Sequence, residues 1–504
     1  MPEINNELNQ NKHESEREEN LIKSKKENLK FLREQNIEPY KYSFQRTLNI
    51  SSIRKKYENI GEIESSETEK IAGRIMTLRG HGKTCFGNLK DGTGVIQFYV
   101  RKDIIGERDY QIFNKLDIGD IIGIEGNIFR TRTGEMTLKV IKFDILTKSL
   151  LPMPEKFHGL KDKELRYRKR YLDLIVNEDV KKTFETRTKI IKEIRNFLDE
   201  LGFIEVETPM LHPIPGGAKA RPFITHHNVL DMDLYLRIAP ELYLKRLLVA
   251  GFEKVYEINR NFRNEGISIK HNPEFTMLEL YAAYEDYTYV MQIMENMVVY
   301  LADKILKTRI IEYQGEKIDL NPPWKRISMK DAIKEYAAID IENMKDDEII
   351  ELLAQKEEIE IRKGITRGEL IAHVFEAFVE PKLIQPVFIT DFPVEISPLA
   401  KISRLDPTVT ERFEPFIYGR EIGNGFSELN DPIDQEQRFK KQIEMDTNGE
   451  VSRVIDYDFI EALKYGMPPA GGLGVGIDRL VMLFTNSASI RDVILFPLLR
   501  PDNR

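Results

Sequence analysis

Apolar and polar positions alternate along Val255 to Tyr287, VYEINRNFRNEGISIKHNPEFTMLELYAAYEDY. Val255, Glu257, Asn259 and Asn261 interleave with Tyr256, Ile258, Arg260 and Phe262, the period of a strand. A polar loop follows, containing Gly266, Ser268, His271, Asn272 and Pro273. A second strand begins near Glu274 and sets Phe275, Met277, Glu279 and Tyr281 against Thr276, Leu278 and Leu280. The pattern predicts a long antiparallel hairpin with Arg263 and Glu265 at its mouth. His271 lies at its far rim and Glu279 on its return strand. Such a hairpin fits an anionic ligand held beside a cationic one, since an arginine fork grips two phosphate oxygens at once.

Other periods divide the rest of the chain. Residues Met1 to about Glu19 are polar, charge-mixed and expected to be frayed. Leu21, Lys25, Leu29 and Leu32 then share a helical face that ends before Pro39. Lys23, Lys25, Lys26, Lys30 and Arg33 on this helix are either a solvated face or an RNA contact. From about Glu69 the period becomes that of strands: IAGRIMTL, TCFGNLK and GVIQFYV, with Asp91-Gly92 turning the second into the third. A helical stretch around Asp103 to Leu116 precedes a hairpin of DIIGIEGNIFRTR and EMTLKVIKFDILT about Thr133-Gly134. Five strands with a helix between the third and fourth is the order of an OB-fold, whose open face binds single-stranded nucleic acid. Arg79, Phe86, Gln97 and Phe98 offer that face a cation, aromatic rings and an amide, although either Phe also suits a core.

Pro152, Pro154 and FHGLKDKELRYRKRYLDL form a junction. Its Arg166, Arg168, Lys169 and Arg170 either meet an RNA backbone or pair with the acids among them. Val180 to Leu201 reads as one helix with an Ile190, Ile191, Ile194, Leu198 stripe, capped by Gly202. FIEVETPML follows as a strand, then the loop IPGGAKARPF, where Gly216 and Gly217 permit a close backbone approach. YLRIAPELYLKRLLVAGF gives a strand and a helix with Glu241 near its start. His226 and His227 lack partners at metal spacing and read as surface or structural. Residues about Ile305 to Pro381 have helical period and no catalytic set. PVFITDFPVEISPLAK is then a buried strand and a proline-punctuated loop. ERFEPFIYGREIGNGFSELNDP places Glu414 seven residues before Glu421, with Asn424, Phe426 and Glu428 beyond. GGLGVGIDRLVMLF runs from a glycine-rich strand into a helix bearing Arg479. No βαβ unit follows it and no phosphate loop of GxxxxGK[ST] spacing is present, so Rossmann and P-loop readings fail.

At 504 residues there is room for two or three domains. A net charge of -8 argues against a protein coated in basic charge, yet leaves room for a local patch facing a folded RNA. One cysteine, Cys85, precludes an internal disulfide and a cysteine-built zinc cluster, and reads as a buried thiol. The absence of a signal core or a membrane-length apolar run makes a cytoplasmic enzyme the expectation.

FRNE followed by HNPEFTMLE resembles motif 2 of the class II aminoacyl-tRNA synthetases, and its surroundings are similar to the bacterial-type lysyl family. The long helix, strand and Pro209 resemble motif 1, and GGLGVGIDRLVMLF resembles motif 3. The resemblance covers about Glu69 to the C-terminus. It implies an α+β multidomain chain, an N-terminal OB-fold β-barrel joined to an antiparallel sheet flanked by helices. The expected boundaries are a charged helical extension over 1–45, an anticodon-binding barrel over 46–150, a linker over 151–180 and a catalytic domain over 181–504, with a helical insertion at about 305–381. It implies activation of L-lysine with ATP and transfer to tRNA(Lys) by a homodimer. Neither a membrane nor DNA is an expected partner.

Carried over by position, Arg263 would bind the α-phosphate and the substrate carboxylate. Glu265, Asn272 and Phe275 would hold the adenosine, His271 would lie near the γ-phosphate, and Arg479 would cover the other face of the base. Glu414 and Glu421 would hold Mg2+, with more than one ion per subunit. Gly217 and Glu241 would take the α-amino group and Asn424 the carboxylate. Glu279, Glu428 and the Tyr281 hydroxyl, with Phe426 beside them, would receive the ε-ammonium, since a buried cation needs carboxylate partners. Arg79, Phe86, Gln97 and Glu135 match anticodon-reading positions. An aspartate or asparagine pocket would need a cation where this one carries acids.

Overall fold

A computed structural model describes residues 2–154, 162–355, 362, 364–445 and 454–501, the side chains of 2–15 and 445 excepted. The junction residues 155–161 lie outside the described residues. The chain divides into two compact units, Met1–Gly159 and Leu160–Arg504.

In the first unit the helix α1 runs Pro2–Glu34, well beyond the start near Leu21 that its apolar face suggests. No glycine or proline interrupts the sequence between Glu3 and Glu34, so nothing in it stops the helix earlier. Lys25 is buried and donates to the Ile118 carbonyl at 3.0 Å and to Ser149 Oγ at 2.9 Å. It is a tether to the barrel, which removes it from the candidate RNA-binding lysines. The barrel strands are β1 (Thr68–His81), β2 (Thr84–Lys90), β3 (Val95–Arg101), β4 (Ile121–Arg130) and β5 (Met136–Thr147). They close in the order β1-β2-β3-β5-β4, with β1 pairing back onto β4. The predicted helix before β4 is broken into two at Gly106, whose φ of 88° favours glycine. Ile71, Ile75, Leu89, Ile96 and Val100 fill the interior. Phe98 joins them and is therefore core, not a nucleic-acid contact. Gly87 makes its room, since a Cβ there would lie 2.3 Å from the Phe98 ring.

In the second unit the helix α2 (Glu178–Glu200) buries Ile190, Ile194 and Leu198, and its end is capped by Gly202 at φ 79°. The junction arginines pair with acids: Arg166 and Arg170 both bind the buried Asp173, and Arg168 binds Glu164. An eight-stranded sheet forms the body. Its members are β6 (Ile204–Glu205), β7 (Lys254–Phe262), β8 (Glu274–Ala283), β9 (Lys325–Ser328), β10 (Val387–Pro393), β11 (Val409–Phe416), β12 (Gly423–Ser427) and β13 (Ala470–Gly476). The order is β9-β10-β11-β12-β13-β8-β7-β6, antiparallel except at the two ends, β9 on β10 and β6 on β7. The helices α3 (Glu241–Val249), α4 (Tyr287–Leu301), α5 (Arg367–Phe378) and α6 (Ile477–Phe484) accompany it. Leu278, Leu280, Val475, Met294 and Leu480 build the core.

Two predicted elements differ. FIEVETPML is not one strand: it pairs with the main sheet only at β6. Thr208 instead turns its hydroxyl to Glu257 at 2.7 Å, and Leu211–His212 join a separate three-stranded sheet. The region expected to be a helical insertion begins with a hairpin, Ile310–Tyr313 and Glu316–Asp319, and supplies the edge strand β9 before its helices. Gln314-Gly315, both at positive φ, make the hairpin turn.

Candidate active site

The predicted hairpin is β7 and β8, in register from Lys254 opposite Ala282 to Phe262 opposite Glu274. On its other edge β8 pairs with β13, Glu279 opposite Gly474. Phe275, Met277 and Glu279 therefore share one face, and they line a cavity of about 1010 Å³. The same cavity is lined by Gly217, Glu241 at the start of α3, Glu265, His271, Asn272, Glu414, Glu421, Asn424, Phe426 and Arg479. Residues separated by more than 260 positions in sequence are thus brought to one concavity.

One end is built for negative charge. The Arg263 guanidinium lies over the Phe275 ring at 5.1 Å, and its buried Nε has no hydrogen-bond partner among the described residues. Burial lowers its pKa, against the pull of Glu265, Glu421 and Glu279. An Nε–H without a hydrogen-bond partner is a charge-assisted donor ready for an incoming anion. Arg479, on the first turn of α6, donates to the Glu421 carbonyl at 2.6 Å and to its carboxylate at 3.1 Å. Burial and the cations Arg479, Lys270 and Arg263 lower the pKa of His271, which favours its neutral ring. Asn272 donates to the Glu274 carbonyl at 2.6 Å and leaves its buried Oδ1 without a partner among the described residues. That oxygen is a ready acceptor for an amino group.

Glu414, on β11, is pushed up to about 8 by burial, opposed by Arg412 and reinforced by Glu421. Arg412 reaches Glu414 at 2.6 Å and Asn424 Oδ1 at 2.9 Å. That bond fixes the Asn424 amide with its NH2 as the remaining donor, the polarity a carboxylate needs. Glu414 and Glu421 are hard oxygen donors, and two carboxylates suit a magnesium that takes its other ligands from phosphate and water.

The other end is acidic. Glu279 is pushed up to about 8 by burial and by Glu241. Tyr281 donates its hydroxyl to Glu279 at 3.2 Å. Its oxygen keeps lone pairs, so this bond is compatible with the acceptor role expected of it. Glu428 is fully buried, and neither of its oxygens accepts a well-directed hydrogen bond among the described residues. Gly472 makes the space for it: a Cβ there would lie 1.9 Å from Glu428 Oε1. Gly217 adopts φ 87° against Ala239 and Glu241, a conformation that admits glycine. The sequence reading missed Lys245, one turn along α3 from Glu241. It is wholly buried, 2.6 Å from Glu241 and in contact with Glu428, with the Phe426 ring 5.4 Å away.

Residues 162–500 match the family described as tRNA synthetases class II (D, K and N), and residues 69–146 match an OB-fold nucleic acid binding domain. The chain belongs to the class II tRNA synthetases. Among curated relatives, the lysine–tRNA ligase of Pelotomaculum thermopropionicum is 60% identical over 484 residues, 95% of each chain. That of Carboxydothermus hydrogenoformans is 58% identical over 482 residues, 95% of this chain and 98% of the relative. That of Bacillus subtilis is 52% identical over 497 residues, 98% of this chain and 100% of the relative.

This synthetase carries a second candidate surface on its barrel. Arg79 on β1 is opposite Phe86 on β2, and Phe86 is opposite Tyr99 on β3. The Phe86 and Tyr99 rings stack with centroids 4.3 Å apart. Gln97 lies on the same face two residues from Tyr99 and accepts from Thr137 at 2.8 Å. Glu135, in the turn before β5, is exposed and 3.7 Å from Arg54. Tyr99 was missed. Its signal was the two-residue period, which puts it with Gln97 and opposite Phe98. His226 sits on the exposed strand Ile224–His227, 2.9 Å from Asp233. Cys85 is buried, and burial raises its thiol pKa.

Proposed function

We propose that this synthetase is a lysine–tRNA ligase. The observation that carries the reading is a single cavity with the half-buried Arg263, whose Nε has no hydrogen-bond partner among the described residues, at one end and the carboxylates Glu241 and Glu279 at the other, with the fully buried Glu428 next to them through Lys245. The lysine carboxylate attacks the α-phosphorus of ATP. A carboxylate oxygen to phosphorus bond forms, the bridge to the β-phosphate breaks, and pyrophosphate leaves. A terminal ribose hydroxyl of tRNA(Lys) then attacks the acyl carbon and AMP departs. Neither step needs a protein nucleophile; both need alignment and fixed charge. Arg263 holds the α-phosphate and the substrate carboxylate together, and Arg479 and Phe275 close on the adenine. Glu265 and Asn272 hold the rest of the adenosine, and neutral His271 meets the γ-phosphate. Gly217, Glu241 and Asn424 orient the α-carbon substituents. Glu279, Glu428 and Tyr281 surround the ε-ammonium against Phe426.

Glu414 and Glu421 would hold Mg2+, which when bound screens the triphosphate. On the barrel, Arg79, Phe86, Gln97 and Glu135 read the anticodon, with the stacked rings as platforms for unpaired bases. A homodimer is supported by the exposed apolar residues Ile204, Leu211, Ile224 and Leu230, which lie close in sequence around motif 1. Among the described residues no helix is long and apolar enough to cross a membrane, and a cytoplasmic site fits this activity.

Exchange of labelled pyrophosphate into ATP, without tRNA and with each amino acid in turn, tests the reading. Exchange with lysine alone, lost on chelation of magnesium, is the expected result. Exchange with aspartate or asparagine overturns the substrate, and none with any amino acid overturns the activation chemistry.

A further inference from the structure

The acidic end of the cavity is lined by the buried carboxylates Glu241 and Glu279, and against them lie a third buried carboxylate, Glu428, and one buried ammonium, Lys245. Lys245 is 2.6 Å from Glu241 and touches Glu428, so one cation bridges two acids. Burial works against its charge, but the two carboxylates hold its pKa above the ordinary lysine value. The other charged or titratable groups that face this cluster are Tyr281, hydrogen-bonded to Glu279, and the arginines Arg237 and Arg263. Arg237 is already committed to Glu257 at 2.7 Å, and Arg263 belongs to the phosphate end. Three carboxylates against one ammonium leave two negative charges when all are ionised. Uncompensated charges in a buried site are costly and select strongly for their complement.

We propose that Lys245 is a specificity-determining positioning residue: by bridging Glu241 and Glu428 it cancels one of the three carboxylates and leaves two, the number that the two ammonium groups of a diamino acid neutralise. The pocket thereby counts charge as well as length. A monoamine leaves one carboxylate stranded, and a neutral side chain of the same shape does no better. Lys245 also fixes where the two remaining charges lie, because it draws Glu241 and Glu428 together and leaves Glu279 with only its tyrosine. The inference rests on the assignment of this pocket to the amino-acid substrate.

The test uses Lys245→Met in the full-length protein, with lysine and ATP parameters from pyrophosphate exchange. The lysine KM is expected to rise about a hundredfold while the ATP KM stays within about threefold, as for loss of one partner of a buried ion pair. In the variant a proton must stand in for the missing ammonium. Its lysine KM therefore rises with pH, whereas that of the parent falls as Glu279 ionises. Propylammonium, the part missing from Lys245→Ala, is expected to lower the lysine KM of that variant, and propanol is not. A lysine KM within about threefold of the parent, or parallel loss of lysine and ATP without rescue, overturns the proposal.

If neither variant folds, competition on the unaltered protein decides. Pentane-1,5-diamine is expected to compete with lysine, and norleucine and 6-aminohexanoate are expected to fail. Equal competition by all three overturns charge counting. Glu428→Gln separates the two levels: an unchanged lysine KM there removes the pocket assignment itself. A raised one with normal Lys245 variants removes only the role of Lys245.

Discussion

In the cavity of the catalytic unit, Arg263, Glu279, Glu414 and Glu428 sit where burial alone shifts each of them toward its neutral form. On the barrel, Arg79 and Glu135 stand in solvent and the Phe86 and Tyr99 rings are half-buried against each other. The first region stores charge in a low-dielectric enclosure, where each group matters a great deal and acts at short range. The second spreads modest contributions over a row of neighbours, where stacking tolerates sequence and cations are screened by salt. Chemistry that must neutralise a triphosphate suits the former, and reading a flexible RNA loop suits the latter.

The largest effect should come from Arg263→Ala, which removes the guanidinium whose Nε–H has no hydrogen-bond partner among the described residues. Lysine-dependent exchange is expected to fall by about a thousandfold, as for loss of a preorganised charge at a developing anion, while the fold survives by circular dichroism. A loss below tenfold would move the α-phosphate contact elsewhere.

Next is Gly472→Ala. Its methyl occupies the space of the Glu428 carboxylate, so the lysine KM should rise about a hundredfold with ATP binding little changed. Equal loss of both ligands would place Glu428 outside the amino-acid end.

The third separates the regions by pH. Burial and Glu241 push the Glu279 carboxyl up to about 8, so the folded protein favours its protonated form. Stability from this group is present below the unfolded carboxyl pKa and is lost as pH rises toward 8. Lysine reverses the balance because an ammonium needs the ionised acid. Calorimetry should therefore show lysine binding that tightens from about pH 6 to 8 with proton release, and tRNA binding without that trend. Lysine binding that is flat over this window would mean that Glu279 does not meet the ammonium.

The smallest effects belong to the barrel. Phe86→Ala and Tyr99→Ala should each weaken tRNA charging about tenfold and leave pyrophosphate exchange intact. Arg79→Ala should cost only a few-fold and reduce the salt dependence of tRNA affinity. Equal damage to exchange would deny the division of labour between the units.

The hairpin β7–β8 was legible because its alternation is unbroken and its loop carries Gly266 and Pro273. The barrel was legible for the same reason, with Gly134 and Asp91-Gly92 marking its turns. Arg263, Glu414 and Arg479 were found through motif resemblance, because spacing alone gives no sign that strands so far apart converge. Lys245 was hidden because a lysine one turn from a glutamate on an amphipathic helix looks like an ordinary surface pair. Only the packing of α3 on β7 and β8, which sets Lys245 against Glu428, reveals the buried pair. Phe98 and Tyr99 illustrate the converse limit: period two separates the faces of β3, but composition does not say which face is inward. The hairpin Ile310–Tyr313 and Glu316–Asp319 was read as helix because each strand is only four residues long, too short to establish a period against its neighbours.

Strand β8 carries Phe275, Glu279 and Tyr281 on one face, and a strand advances about 3.3 Å per residue. It therefore works as a measuring rod: about 13 Å separates the backbone at Phe275 from that at Glu279, and about 20 Å reaches Tyr281. Because pairing with β7 and β13 locks it on both edges, this spacing cannot drift without breaking two ladders. An insertion of one residue would turn every contact from the cavity to the core. Point substitution along the rod is then the open route to a new side-chain preference. Length changes, the common currency of loop-built sites, are closed to it.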